Sequence, residues 1–260
     1  MVRLLLLSLI SLPLVAGNNA INIQHKGNSS VINIKQVGYT NNATVFCGLS
    51  GGVYSTHTCT RAVINLNTTG HGNTSKAYSQ WSNHTDNVFT ITQNGDNNYG
   101  YLDLDKNDNT AVITQNGNSN TGIVLMAGDD NTYTISQTGN SKYAKMYAFG
   151  DDADSTITQS GTGQHNAYIY NYNYADNNSS TITQSGSGDH DADIFWYSDA
   201  DNGVASITQS GSGDHTARLN FYRDNYNVGV TQSGANDKSF TATYNCVSNC
   251  TKTLTITQYD

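Results

Sequence analysis

The chain contains no glutamate: all 20 of its acidic residues are aspartate. Its one proline, Pro13, sits in the leading apolar segment, and no later apolar run approaches the roughly 18 residues that a membrane-spanning helix needs. Helix formers are therefore scarce and no membrane span is expected. Hydrophobic residues make up only 36% of 260, with a mean hydropathy of −0.50, which is too polar for one large buried core and argues against an ordinary globular enzyme. Basic residues are few as well, 12 Lys and Arg against 20 Asp. Sequence-independent nucleic-acid binding requires cations that displace counterions, so a formal charge of −8 excludes nucleic acid as a partner. What fills the chain instead is turn-forming residues, 34 Asn and 24 Gly.

Residues 1–17 read as a signal peptide: Arg3, an apolar stretch from Leu4 to Val15, and small residues at Val15 and Gly17 before a cut at Asn18. The expectation is a secreted product, residues 18–260. An oxidising compartment suits the four cysteines. Cys47 and Cys59 bracket a Gly/Ser/Thr-rich insertion at 47–59, and Cys246 and Cys250 form a CVSNC string. Two local disulfides are the favoured reading. Zinc is the alternative, but neither spacing resembles a finger or ribbon, and His57 is the only histidine inside either bracket.

One string recurs along the chain, from TITQNG at 90–95 to TITQSG at 181–186. Its glutamines, Gln93, Gln115, Gln137, Gln159, Gln184, Gln209, Gln232 and Gln258, stand 22 to 26 residues apart; Gln36 opens the series and Thr68 occupies a glutamine place. Each unit alternates as a strand does, with Asn87, Phe89, Ile91 and Gln93 on one face and Val88, Thr90 and Thr92 on the other. A turn follows, then a second alternating run with Gly100, Leu102 and Leu104 inward. Glycine two residues after the glutamine, at Gly38, Gly95, Gly117, Gly139, Gly161, Gly186, Gly211 and Gly234, permits the turn. One such unit cannot bury its own apolar face, whereas stacked units bury one another's. The expected fold is all-β, an amyloid-like β-solenoid of about nine stacked strand-turn-strand coils. Its inward glutamines form a structural ladder of amides hydrogen-bonded from coil to coil.

Ser30, Gln36, Gly38, Asn41 and Ala43 fit S-x5-Q-x-G-x2-N-x-A, and Asn18, Ala20 and Gln24 fit N-x-A-x3-Q. These strings resemble the curlin repeat of bacterial curli. The resemblance implies a secreted amyloid subunit forming an extracellular fibre at the bacterial cell surface, for biofilm matrix, adhesion and colonisation. It also implies partners: the chain itself in an end-to-end polymer, a nucleator or major curlin-like subunit, and outer-membrane secretion machinery. Downstream, the second-strand glutamine is replaced by Cys47, Leu104, Met126 and Ala148. Because the sequence starts and stops inside repeat pattern, growth at unpaired strand edges is expected.

His165, His190 and His215 recur every 25 residues in G-x-G-[QD]-H-x-A-x-[IL]. They are read as a pH-sensitive ladder replacing an Asn column, with metal binding the less favoured account. Tyr147, Phe149, Tyr168, Tyr170, Tyr172, Phe195, Tyr197 and Tyr222 form an outward aromatic stripe, suited either to sheet stabilisation or to lateral packing. Outward Thr pairs such as Thr90/Thr92 and Thr181/Thr183 resemble the arrays of ice-binding solenoids, interrupted at Val112, Ser136, Ser206 and Gly229. Asp129/Asp130 and Asp151/Asp152 read as solvated turns rather than calcium sites. No H-E-x-x-H or phosphate loop is present, so no catalytic residue, metal or cofactor is assigned. A monomeric ice-binding or adhesin solenoid is the alternative, and a β-helix glycan-active enzyme a lesser one, disfavoured by the lack of a basic groove.

Overall fold

The computed structural model describes residues 17–48, 58–79, 84–104, 107–127, 131–147, 149, 154–170, 178–196, 203–221, 226–243 and 252–260. Residues 1–16 of the segment 1–17 that reads as a signal peptide, Cys246, Cys250, Tyr172, Tyr197, Tyr222, Ala148 and the Asp pairs at 129/130 and 151/152 lie outside the described residues. Within them the fold is all-β. Ten parallel strands stack in one sheet: Val31–Val37, Val63–Thr69, Val88–Asn94, Thr110–Asn116, Thr132–Thr138, Asp154–Gln159, Ser179–Gly186, Val204–Gly211, Tyr226–Gly234 and Lys252–Gln258. These are the first arms of successive coils, and each of the first nine is followed by a described second arm. An earlier second arm contains Ala20–Asn22. Among the described residues the stack forms a β-solenoid of about eight turns between a leading second arm and a trailing first arm, close to the nine expected from the repeat spacing.

Register along the ladder is strict. Leu66 pairs with Ile91, Ile91 with Ile113, Ile113 with Ile135, and Ile157 with Ile182 and Ile207 in turn. A slip of one residue would turn every isoleucine outward, so the buried face fixes the pairing. The 25-residue units hold the same register because their extra residues fall in the turns. Gln115 and Asn120 are separated by four residues, whereas Gln159 and His165 are separated by five.

The second arms depart from the expected regular strand. They keep inward alternation, with Leu102, Leu104, Val124 and Met126 all buried. Over much of their length, however, they meet only at single bridges such as Tyr99–Thr121 and Thr121–Tyr143. The core is one side chain thick: a Cβ on Gly100 would lie 2.8 Å from Ile91 Cδ1. Bulky inward groups in that narrow space push the arm off the pleat, and Leu102, Met126, Ile194 and Trp196 all take positive φ.

The leading half-pattern is also displaced by one residue. Ala20 pairs with Asn42 and Ile21 with Ala43, so Asn19, rather than Asn18, occupies the column of Asn41. Placing Asn18 there would turn Ile21 and Ile23 away from the stack, and the apolar pattern prevails over the polar string.

Candidate functional site: the stacked polar columns

The functional features among the described residues are columns running along the stack. The glutamine column is continuous from Gln93 to Gln258. Gln93 Nε2 donates to Gln115 Oε1 at 2.9 Å, Gln115 to Gln137 at 2.8 Å, Gln137 to Gln159 at 2.9 Å, and Gln159 to Gln184 at 2.9 Å. The same sense continues through Gln209 and Gln232 to Gln258. The second amide proton of these side chains goes to a carbonyl on the second arm: Gln115 to Tyr99 O, Gln137 to Thr121 O, Gln184 to His190 O. Glutamine thus joins coil to coil and arm to arm, which an apolar residue could not do. At Thr68 the link is made by hydroxyls, Thr68 Oγ1 to Ser75 Oγ at 3.1 Å and Ser75 Oγ to Gln93 Oε1 at 2.9 Å. Gln36 lies beyond this short side chain, and its buried Oε1 receives no donor.

A second buried column opens eight of the second arms: Asn41, Asn73, Asn98, Asn120, Lys142, His165, His190 and His215. In the asparagine part, Oδ1 accepts the backbone N–H of the next coil while Nδ2 donates to a turn-glycine carbonyl, as Asn98 does toward Asn120 N and Gly117 O. Lys142 Nζ takes over the donation, to Gly163 O. The histidines do it within their own coil, Nε2 donating to Ser160 O at 2.7 Å, Ser185 O at 2.9 Å and Ser210 O at 2.9 Å. Because the partner is a carbonyl, Nε2 carries the proton and Nδ1 is the bare nitrogen. The rings stack with centroids 4.8 and 4.9 Å apart and planes within 4°. Two parallel nitrogens at that distance cannot share one metal ion that binds each at about 2.0–2.1 Å. The column is thus built to hydrogen-bond and not to chelate.

Two polar ladders were not recognised from the sequence although the 22-residue spacing carries them. Asn87, Asn109 and Asn131 are buried where the first arm begins, with Asn109 N donating to Asn87 Oδ1 at 2.9 Å. In the turns, Asp and Asn side chains accept the N–H of the preceding coil, as in Gln164 N to Asp189 Oδ1 and Asp189 N to Asp214 Oδ1. Asp193 also escaped notice; it is buried beneath Arg218, which bonds it from the next coil.

Cys47 and Cys59 are bonded, with Cα atoms 5.5 Å apart, at the base of the insertion. The outward stripe stacks through Tyr147, Tyr170 and Phe195, with ring centroids 5.4 and 4.9 Å apart. Two lysines thread it: Lys145 Nζ stands 4.6 Å from the Tyr147 ring centre and 4.8 Å from that of Tyr170, and Lys76 stands 5.0 Å from Tyr99.

The histidine column should confer acid sensitivity. Burial, reinforced by the charge of Lys142, lowers the His165 pKa to about 4, and burial lowers that of His190. The unfolded imidazole titrates at 6.5, so below that pH the unfolded chain binds more protons and stability falls toward pH 4. At pH 5 the His165 contribution is about 2 kcal/mol. Asp193 works in the opposite sense: burial raises its pKa to about 6 despite Arg218, so it adds stability as pH falls from there. Comparing the wild type with H165N/H190N/H215N isolates the imidazoles. The stability loss between pH 7.5 and pH 5, measured by denaturant unfolding, should be smaller in the triple variant; an equal loss would remove the histidines as its cause.

Parallel coils joined by continuous ladders of buried amides define the molecule as a structural β-solenoid. The model of the curlin associated repeat matches residues 107–139 and 128–161, the stretch where the 22-residue period is most regular. The matched residues are curlin repeats, and curlin repeats on a β-solenoid support a curli-type structural subunit in general. Neither curated proteins nor solved structures gave a match. Gly48 to Gly52 spells G-x-S-x-G, of which Leu49 to Gly52 lie outside the described residues. No helix among them is long and apolar enough to cross a membrane.

Proposed function

We propose that this protein is exported through its leading segment and assembles end to end into amyloid fibres of the extracellular matrix, serving adhesion and surface colonisation. One observation carries the reading: the outermost strands of the ladder are half-finished. Interior residues such as Ile113, Ile135 and Ile182 are fully buried, whereas Ile32 and Ile34 at one end and Leu254 and Ile256 at the other are only partly covered. A further coil from a second copy would cover them and satisfy the strand edges. The glutamine column supplies polarity. Its donors all point toward Gln258, and Gln36, at the opposite end, has a buried Oε1 lacking a donor. Head-to-tail stacking would place a donor from Gln258 of one copy on Gln36 of the next and continue the column between molecules.

Export machinery of the outer membrane and a nucleating or major curlin-like subunit are the partners such a role requires. Thr253 to Asp260 provides the test, since it holds the last strand of the ladder. Its deletion should slow seeded elongation, followed by thioflavin fluorescence, by about tenfold or more, because the new edge lacks both Leu254 and Gln258. Unchanged elongation would show that growth does not use this edge.

A further inference from the structure

We propose that His25, Cys47 and Cys59 form a binding site for a thiophilic metal ion, of which zinc is the reference case, that opens when the disulfide is reduced. The three side chains come together through the repeat. His25 lies six residues after Asn19 and Cys47 six after Asn41, so the two occupy consecutive places in one column of the second arms. Cys59 arrives from the far side of the insertion, anchored by its N–H to Lys26 O at 2.8 Å and paired to His84 in the next short strand. The ligating atoms all lie within 4.8 Å of one another.

Two observations single the cluster out. Among the described residues it is the one group of three or more His, Cys or Asp side chains close enough to hold a metal ion. His25 Nε2 is also buried without a hydrogen-bond partner, an orphan polar atom beside two sulfurs.

Reduction by a low-molecular-weight thiol would proceed by two exchanges. The first thiolate attacks one sulfur to give a mixed disulfide and frees one cysteine; the second releases the reductant as its own disulfide, leaving Cys47 and Cys59 as thiols. A zinc ion then displaces two protons to solvent and takes two thiolates and one imidazole. Zinc binds sulfur at about 2.3 Å and nitrogen at about 2.0–2.1 Å, so ligand atoms around it stand roughly 3.5–3.8 Å apart. Changes of side-chain torsion bring the cluster to that spacing. The fourth position falls to water or to Ser30 Oγ, which lies 3.6 Å from Cys59 Sγ. In the disulfide form the leading arm holds Cys59 through the backbone of Lys26; with metal bound the His25 side chain would join the same base.

The sequence alone concealed this site because only histidines between the paired cysteines were weighed, and His25 lies one coil earlier.

The test uses the full exported chain bearing C246S/C250S, reduced with a phosphine, freed of reductant and titrated anaerobically with zinc against a chromophoric chelator. The reduced protein should bind one equivalent and the oxidised protein none. H25A should weaken binding by about tenfold or more, as loss of one of three ligands requires. If H25A fails to fold, X-ray absorption of the zinc-loaded parent decides, with two sulfurs near 2.3 Å and a nitrogen near 2.0 Å expected. Equal zinc uptake by the reduced and oxidised proteins, unaltered affinity in H25A, or a shell without sulfur would overturn the assignment.

Discussion

Replacing Gly117 with alanine is expected to break the stack, whereas the same change at Gly229 is expected to be harmless. Gly117 holds φ at +134°, and a Cβ there would lie 2.0 Å from the carbonyl oxygen of Gly139 in the next coil. That neighbour cannot retreat, because Gly139 N donates to Asn116 O at 2.8 Å and the coils are already in contact. The strain is therefore relieved only by opening the ladder between these coils, at the point where Gln115 meets Gln137. A loss above about 3 kcal/mol follows, well beyond an average substitution. Gly229 has nothing within 4 Å of its would-be Cβ, so alanine there changes stability by under about 1 kcal/mol. Denaturant midpoints of the two variants read the contrast directly. Equal losses would mean that the turn glycines are not in mutual contact.

Gln159→Ala should be nearly as damaging, for an electronic rather than a steric reason. Its Nε2 lies 2.7 Å from Tyr143 O, 2.9 Å from His165 O and 2.9 Å from Gln184 Oε1, and its Oε1 accepts from Gln137. Truncation leaves Gln184 Oε1 without its donor and Gln137 Nε2 without one acceptor, each at about 1–3 kcal/mol, so a loss of several kcal/mol is expected, while Tyr143 O and His165 O keep their backbone donors. Thr158, one residue earlier, faces outward, and its replacement by alanine should cost under about 1 kcal/mol. Similar losses at both positions, read from unfolding of the assembled form, would contradict the strand phase seen here.

The first arms were legible in the sequence because isoleucine, glutamine and glycine repeat with a two-residue phase that only a stacked strand satisfies. Ile91, Gln93 and Gly95 announce their own environment: apolar, amide-bearing and without Cβ. The second arms were less legible, since their alternation is shared by regular strands and by the irregular, singly bridged course that the narrow core imposes. The misplacement of Asn18 has a similar origin. Asn18 and Asn19 are adjacent, and only the direction of Ile21 and Ile23 separates the two registers. Features joining residues in different coils, such as Asp193 with Arg218 or His25 with Cys47 and Cys59, depend on which insertion falls in which turn. The aromatic stripe was visible, but the lysines threading it were not, because Lys76 and Lys145 take their places only when the coils are stacked.

Self-assembly along the stacking axis is the central claim, and fibre diffraction from purified residues 18–260 tests it most directly. Incubated without denaturant, the chain should form filaments that give a meridional reflection near 4.7–4.8 Å, the spacing of coils along the fibre. A chain that stays monomeric by sedimentation and gives no oriented reflection after prolonged incubation, even when seeded, would contradict the account.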